Sequence, residues 1–326
     1  MQSDTLKSLR QITETYAIPL AECNELIQKT LNSETPQTGD LAKALKNSRG
    51  KQLRPLLVFT LLGDHPNAAT LAAVCESIHC ASLVHDDIID DCNLRRNLPT
   101  MNAIHGRPVA LLLGDLLFTS IFSLSARLPS WVTADAASTI KQLIEGELLQ
   151  QARKGNIDVT KSQYLEILQK KTGALLSLCT KAGSRLADKN PGDIKLAGEY
   201  ADSFGLIFQI ADDWADFTKA GEDDNKDRGA DIGNGFITLP WILMLEHAPL
   251  EYREKLITLI TSKQRCGMNH PLVQEIYELV QLDEKMQSEI NSLERTARQA
   301  LLNMSSSMPT EELEVYLNTA ISTFNK

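Results

Sequence analysis

The feature that most restricts the fold is periodicity. Long stretches of Leu, Ala, Ile, Glu and Lys place apolar residues at helical spacing, and alternating β-branched runs bounded by turn dipeptides are almost absent. The pattern predicts a nearly all-α chain. Its breaks fall at Ser48-Arg49-Gly50, Asp64-His65-Pro66-Asn67, Asn97-Leu98-Pro99, Leu128-Pro129-Ser130, Asn190-Pro191-Gly192, the polar stretch 221–235 and Ser307-Met308-Pro309. None resembles a long interdomain linker, so a single domain over residues 1–326 is expected, with ample length for a buried core. Asn67 is expected to cap a helix starting at Ala68, and a second long helix should run from about Gly192 to Phe217.

Each of these helices ends on the same arrangement of carboxylates, Asp86-Asp87-Ile88-Ile89-Asp90 and Asp212-Asp213-Trp214-Ala215-Asp216. Residues four apart share a helical face, with the second Asp at its edge. Such stacked like charges cost a few tenths of a kcal/mol per exposed pair, and more in a cleft. A divalent cation removes that cost. Carboxylate oxygens suit hard cations, and Mg²⁺ takes one or two carboxylates while keeping positions for water and phosphate oxygens. One cluster alone is equally well read as a solvated acidic helix end. Its repetition, after the apolar stretch 204–210, favours metals held between two helices by Asp86, Asp87, Asp90, Asp91, Asp212, Asp213 and Asp216, with Gln209 as a neutral donor. The implied cofactor is Mg²⁺ and the implied ligand a diphosphate.

A net charge of −9 gives no general attraction to nucleic acid or to an anionic bilayer, so nucleic acid is not expected as a partner and an anionic ligand needs local cations. Lys51 and Arg54 flank a predicted helix start, Arg95-Arg96 follow the first cluster by one turn, and Lys170-Lys171-Thr172 add cations and a hydroxyl. Singly, each reads as surface charge; interleaved with the acidic elements, they read as diphosphate contacts. His79 lies two turns before Asp86 on roughly the same face and is a candidate diphosphate contact or a satisfied histidine, whereas His85 points elsewhere. Cys80 and Cys92 are expected to be packing residues, because Mg²⁺ does not favour thiolates. Six scattered cysteines fit reduced thiols and a cytoplasmic setting. The N-terminus has no signal-peptide pattern, and the apolar runs 55–62 and 109–113 are too short to span a bilayer, so no transmembrane segment is expected.

These residues resemble the trans-type isoprenyl diphosphate synthases, or polyprenyl synthetases, and among them the medium- and long-chain, octaprenyl-like members. The resemblance covers about residues 50–240. It rests on Gly50-Lys51-x-x-Arg54-Pro55, on the run from His79 through Asp86-Asp87 to Arg95-Arg96, on Lys171-Thr172-Gly173, and on Phe208-Gln209-Ile210-Ala211-Asp212-Asp213 through Thr238-Leu239-Pro240. It implies an all-α bundle around a deep central cavity, usually a homodimer, in which both motifs bind Mg²⁺ around an allylic diphosphate. It further implies that Lys51, Arg54, His79 and Arg96 hold isopentenyl diphosphate, and that Arg95, Lys171, Thr172, Gln209 and Lys226 help hold the allylic diphosphate. Asp86, Asp90 and Asp212 would be direct metal ligands and, with Lys171, the catalytic group.

In such proteins bulky residues upstream of the first motif limit product length. Here Ala81 and Ser82 stand at those positions, which predicts a medium- to long-chain product, with Phe118, Ile121 and Phe122 as candidates for the cavity floor. One departure stands out: Gly235-Phe236-Ile237-Thr238-Leu239-Pro240 has Phe where a Lys is common. A geranylgeranyl-type short-chain synthase, a subunit of a heteromeric synthase and a class I terpene cyclase are the alternatives. Lys51, Arg54 and the second motif argue against the cyclase.

Overall fold

Apolar residues spaced for helices become helices throughout. The computed structural model describes residues 2–31, 36–47, 50–95, 98–218, 229–262 and 266–325. Its N-terminal half comprises α1 (Gln2–Thr15), α2 (Ala17–Leu31), α3 (Pro36–Asn47), α4 (Leu53–Leu62), α5 (Ala68–Ile89), α6 (Met101–His105), α7 (Arg107–Ser125), α8 (Ser130–Ala152) and α9 (Lys161–Leu168). A π-helical turn, Gln169–Gly173, leads into α10 (Ala174–Leu186) and α11 (Pro191–Thr218). There follow α12 (Ala230–Gly233), α13 (Leu239–His247), α14 (Leu250–Thr261), α15 (Pro271–Val280), α16 (Leu282–Asn303) and α17 (Thr310–Phe324). Departing from the all-helical expectation, Leu94–Arg95 and Leu98–Pro99 pair as a minimal antiparallel ladder.

Two helices organise the rest. On α5 apolar residues occupy nearly every face of its first three turns, and Leu71, Ala72, Ala73, Val74, Cys75 and Ile78 are fully buried, so it must be surrounded. It packs on α2, α4, α7 and α10, while α11 packs on α10, α16 and α17. One continuous apolar core runs from Leu9 to Phe324. Polar tethers fix its ends: the hydroxyls of Thr60 and Tyr316 lie 2.8 Å apart, and the Tyr200 hydroxyl donates to Leu313 O at 2.7 Å. None of the six cysteines is joined in a disulfide.

Three features differ from what the sequence suggests. Asn67 stands at the N-cap of α5, but its side chain does not cap; its backbone N–H donates to His65 Nδ1 at 3.1 Å. A capping box instead opens α9, where Thr160 Oγ1 accepts from the Gln163 N–H and Gln163 Oε1 accepts from the Thr160 N–H. The third concerns length: α5 and α7 are each long and apolar enough to cross a membrane by length and composition. Most of α5 is enclosed by protein, whereas α7 leaves more than half of its apolar window uncovered.

Candidate active site

The C-terminal turn of α5 divides its three carboxylates between two adjoining cavities. Asp86 and Asp90 face a cavity of 420 Å³ together with Lys171, Thr172, Gln209, Asp213 and Asp231. Asp87, rotated away from them by the helical period, lines a larger cavity of 690 Å³. There Arg95 clamps it: Nε and Nη2 both lie 2.8 Å from Asp87 Oδ1. Asp91, expected to join the metal group, turns away in a left-handed backbone conformation and pairs with Arg107 at 3.7 Å. Burial pushes Asp86 up to about 6; Lys171 opposes that shift, and Glu147 and Asp90 add to it.

The second motif is used differently. Asp213 is buried, and both of its oxygens are occupied: the Tyr164 hydroxyl donates to Oδ2 at 2.6 Å and Gln209 Nε2 to Oδ1 at 2.9 Å. Burial, then these neighbours, set its titration at about 6. Asp216 faces the returning chain, accepting the backbone N–H of Gly229 at 2.9 Å and of Asp231 at 3.4 Å. Asp212 is exposed and opens onto the 690 Å³ cavity. The carboxylates turned toward open space are therefore Asp86, Asp90 and Asp212. Among the described residues no three His, Cys, Asp or Glu side chains are grouped closely enough to enclose an ion alone.

The cations are distributed to match. Lys51 and Arg54 line the larger cavity, and among the described residues the buried Arg54 Nε has no hydrogen-bond partner. Desolvation lowers the Arg54 pKa, and Glu76 opposes this most strongly. Arg54, His79, Leu83 and Arg95 line both cavities and form the partition between them. On the smaller side, the π-helical turn carries Lys171 and Thr172 inward; such turns recur at functional sites. Lys171 is ion-paired with Glu147, whose other oxygen accepts from Gln151 at 2.8 Å. Thr172 donates to Gln209 Oε1 at 3.1 Å, so Gln209 joins Thr172 to Asp213. Glycine eases this contact: a Cβ at position 205 would lie 3.1 Å from Gly173 Cα, tighter than ordinary packing, so any other residue would push α11 back from the turn by a few tenths of an ångström.

Two expected contacts, Arg96 and Lys226, lie outside the described residues. His85 points away as expected, toward α7, with Nε2 3.3 Å from Leu111 O and the ring tilted on Phe118. Ser82 lines the smaller cavity and donates to His79 O at 2.9 Å, whereas Ala81 is fully buried. The proposed floor is not supported. Phe118 packs on His85, Ile121 is buried in the core and Phe122 is 55% exposed on the outer face of α7; none lines either cavity. Sequence reasoning missed Glu147, Tyr164 and Asp231, which serve the site from α8, α9 and α12. Asp231, whose pKa is raised by burial and by Asp213, Asp216 and Asp90, stood in a polar stretch with nothing to separate it from loop residues.

Residues 36–280 match the polyprenyl synthetase family. A short chain isoprenyl diphosphate synthase from Methanothermobacter thermautotrophicus is 35% identical over 251 residues, covering 73% of this chain and 77% of its own. The octaprenyl diphosphate synthase of Escherichia coli is 30% identical over 272 residues, covering 82% and 84%. The crystal structure of a polyprenyl synthase from Caulobacter crescentus, complexed with calcium and isoprenyl diphosphate, superposes with a TM-score of 0.86 at 28% identity, covering 96% and 97%. Paired aspartate motifs, flanking cations, an all-helical fold and a family match over most of the chain lead to one conclusion: the chain belongs to the polyprenyl synthetase family and is a trans-prenyl diphosphate synthase, a prenyltransferase of isoprenoid biosynthesis.

Proposed function

We propose that this enzyme, as one catalytic domain, condenses isopentenyl diphosphate with an allylic diphosphate, farnesyl or similar, to give a medium- or long-chain all-trans polyprenyl diphosphate, with Mg²⁺ as its metal. The observation that carries the reading is the shared wall of Arg54, His79, Leu83 and Arg95 between a cation-rimmed apolar cavity and a carboxylate-lined one. Two diphosphates held on either side of it present their hydrocarbon ends to one another.

The residues divide the work. Lys51, Arg54 and His79 take the diphosphate of isopentenyl diphosphate, while Lys171, Thr172 and Gln209 face that of the allylic substrate. Bound at Asp86, Asp90 and Asp212, Mg²⁺ supplies electrophilic help to the departing diphosphate. The allylic C–O bond breaks with its electron pair leaving on the diphosphate, the isopentenyl double bond donates the pair of the new C–C bond, and a proton passes to the released diphosphate. Leu83, Phe204 and Phe208 keep water from the reacting carbons.

Small Ala81 and Ser82 support a long product, as does similarity to an octaprenyl diphosphate synthase. Full burial of Ala81 favours a second reading, a geranylgeranyl-type product. Mass spectrometry of products from farnesyl diphosphate, isopentenyl diphosphate and Mg²⁺ decides between them. Repeated additions of five-carbon units support the first reading, arrest after one addition supports the second, and no elongation by the protein alone points to a heteromeric subunit.

A second copy of the chain is the proposed partner. Leu111 and Phe122 are eleven residues apart, close to three turns, and share a face of α7; with Leu112 of α7 and Ile144 and Leu148 of the adjacent α8, all of them exposed, they leave apolar surface for a homodimer to cover. Leu111→Lys with Phe122→Lys should shift sedimentation from dimer to monomer. Six cysteines without a disulfide among them suit a cytoplasmic setting.

A further inference from the structure

The departure at Phe236 has a counterpart in the fold. Phe236 lines the carboxylate-side cavity, as does Arg153, the residue that ends α8. The next residue, Lys154, holds its Nζ over the Phe236 ring, 5.1 Å from the centroid, within the range of a cation–π contact. Backbone locks the pair together: the Gly155 N–H donates to Gly235 O at 2.8 Å. Gly235 sits at φ +83°, and a Cβ there would approach Gly155 N to 3.3 Å and Lys154 Cγ to 3.4 Å. The close approach of the two segments thus depends on a residue that lacks a side chain and tolerates the left-handed backbone.

Charge makes the placement consequential. Asp86, Asp90, Asp213, Asp231 and the nearby Glu147 dominate this side. Three of the other cations near it are already committed, Lys171 to Glu147, Lys170 to Glu145 and Arg95 to Asp87, while Arg54 belongs to the partition with the larger cavity. Among the described residues neither Arg153 nor Lys154 makes an ion pair; Arg153 donates to the Leu149 carbonyl at 3.3 Å, and Lys154 has only the aromatic face.

We propose that Lys154, propped on the ring of Phe236, is a substrate-binding residue that contacts the diphosphate of the allylic substrate, placing from α8 the positive charge that a lysine at position 236 would bring. The inference rests on the allylic assignment of the carboxylate-side cavity. An aromatic ring at position 236 then has a use of its own, holding a long, flexible side chain over the cavity mouth.

Calorimetry with inorganic diphosphate and MgCl₂, together with steady-state kinetics on the full-length enzyme, tests it. Lys154→Gln should weaken Mg-diphosphate binding about tenfold, the loss of one charge-assisted contact. The KM for farnesyl diphosphate should rise in parallel, and the KM for isopentenyl diphosphate should stay unchanged. Adding Phe236→Lys to Lys154→Gln should recover most of the loss, which a merely structural role for Lys154 would not allow. Unaltered diphosphate affinity in Lys154→Gln, an equal loss for both substrates, or no recovery in the double variant would overturn the proposal. Failure of the product-length reading shows separately, in the products of the unmodified enzyme.

Discussion

The two aspartate motifs share one spacing and live in different surroundings. At the end of α5 two carboxylates, Asp86 and Asp90, look into one cavity while the middle one is clamped by Arg95. On α11 the middle carboxylate borders the smaller cavity but is buried and held by Tyr164 and Gln209, the last holds the backbone of the returning chain, and the first opens onto the larger cavity. Identical spacing therefore does not mean identical use. What differs is the neighbouring helix: α5 ends beside a cleft, whereas α11 runs on past α9 and α12, whose polar groups reach its carboxylates first.

The sharpest way to break this contrast is to remove an open carboxylate from each motif. Asp86→Asn and Asp212→Asn should each lower kcat by more than about a hundredfold, because even groups that only support a metal ligand are worth roughly ten- to a hundredfold. Circular dichroism should show the helices intact. Near-normal turnover in either variant would remove that residue from the metal group.

Next in size is the support beneath Asp213. Tyr164→Phe leaves a buried carboxylate short of one donor, so unfolding in denaturant should show a loss of about 1–3 kcal/mol. Burial first, and Asp213 next, raise the Tyr164 pKa, so the hydroxyl stays protonated and able to donate across the working pH range. An unchanged midpoint would mean that Asp213 is not held in this way.

The pH dependence separates the motifs further. Asp86 and Asp213 both titrate near pH 6 in the folded chain, up from a reference of 3.8. A raised carboxylate pKa means that the native state holds its proton more tightly than the unfolded one. The metal-free protein should therefore lose stability as pH climbs from about 4 through about 6, with no further loss from these groups above that. A cation at Asp86 returns part of what was lost, so MgCl₂ with inorganic diphosphate should raise the melting temperature more at pH 8 than at pH 5. Asp86→Asn should flatten that difference, and Asp213→Asn should leave it. A flat response in the unmodified protein, or equal flattening by both variants, removes the distinction.

How much of this was legible beforehand depends on what a helical period can express. Spacing alone put Asp86 and Asp90 on one face with Asp87 at its edge, and the structure turns Asp87 into the other cavity. Periodicity also anticipated α11 to within a residue or so, because Pro191 suits a first helical turn and the apolar spacing then persists to Phe217. It could not say which helix packs where. Glu147 and Tyr164 look like ordinary polar residues of α8 and α9 until the fold brings them to Lys171 and Asp213, a long-range fact with no local signature. The floor candidates failed for the same reason: Phe118 and Phe122 are apolar and near enough in sequence, but α7 turns one toward His85 and the other outward. The π-helical turn at Gln169–Gly173 adds a residue to the local period and so moves Lys171 relative to any α-helical projection.

The smallest effect belongs to Asp216, and it probes the asymmetry most directly. Its carboxylate accepts two backbone N–H groups, one from Gly229 at 2.9 Å and a longer one from Asp231 at 3.4 Å. Asparagine retains one oxygen for the shorter bond and gives up mainly the longer, weaker one. At about 1 kcal/mol for an ordinary hydrogen bond, kcat/KM for the allylic substrate should fall only about fivefold. Isopentenyl diphosphate, which we propose binds on the far side of the Arg54–His79 wall, should be used with an unchanged KM. If Asp216→Asn instead abolishes turnover as completely as Asp86→Asn, Asp216 must leave the backbone of residues 229–231 to bind metal during catalysis, and the two motifs are then equivalent in use after all.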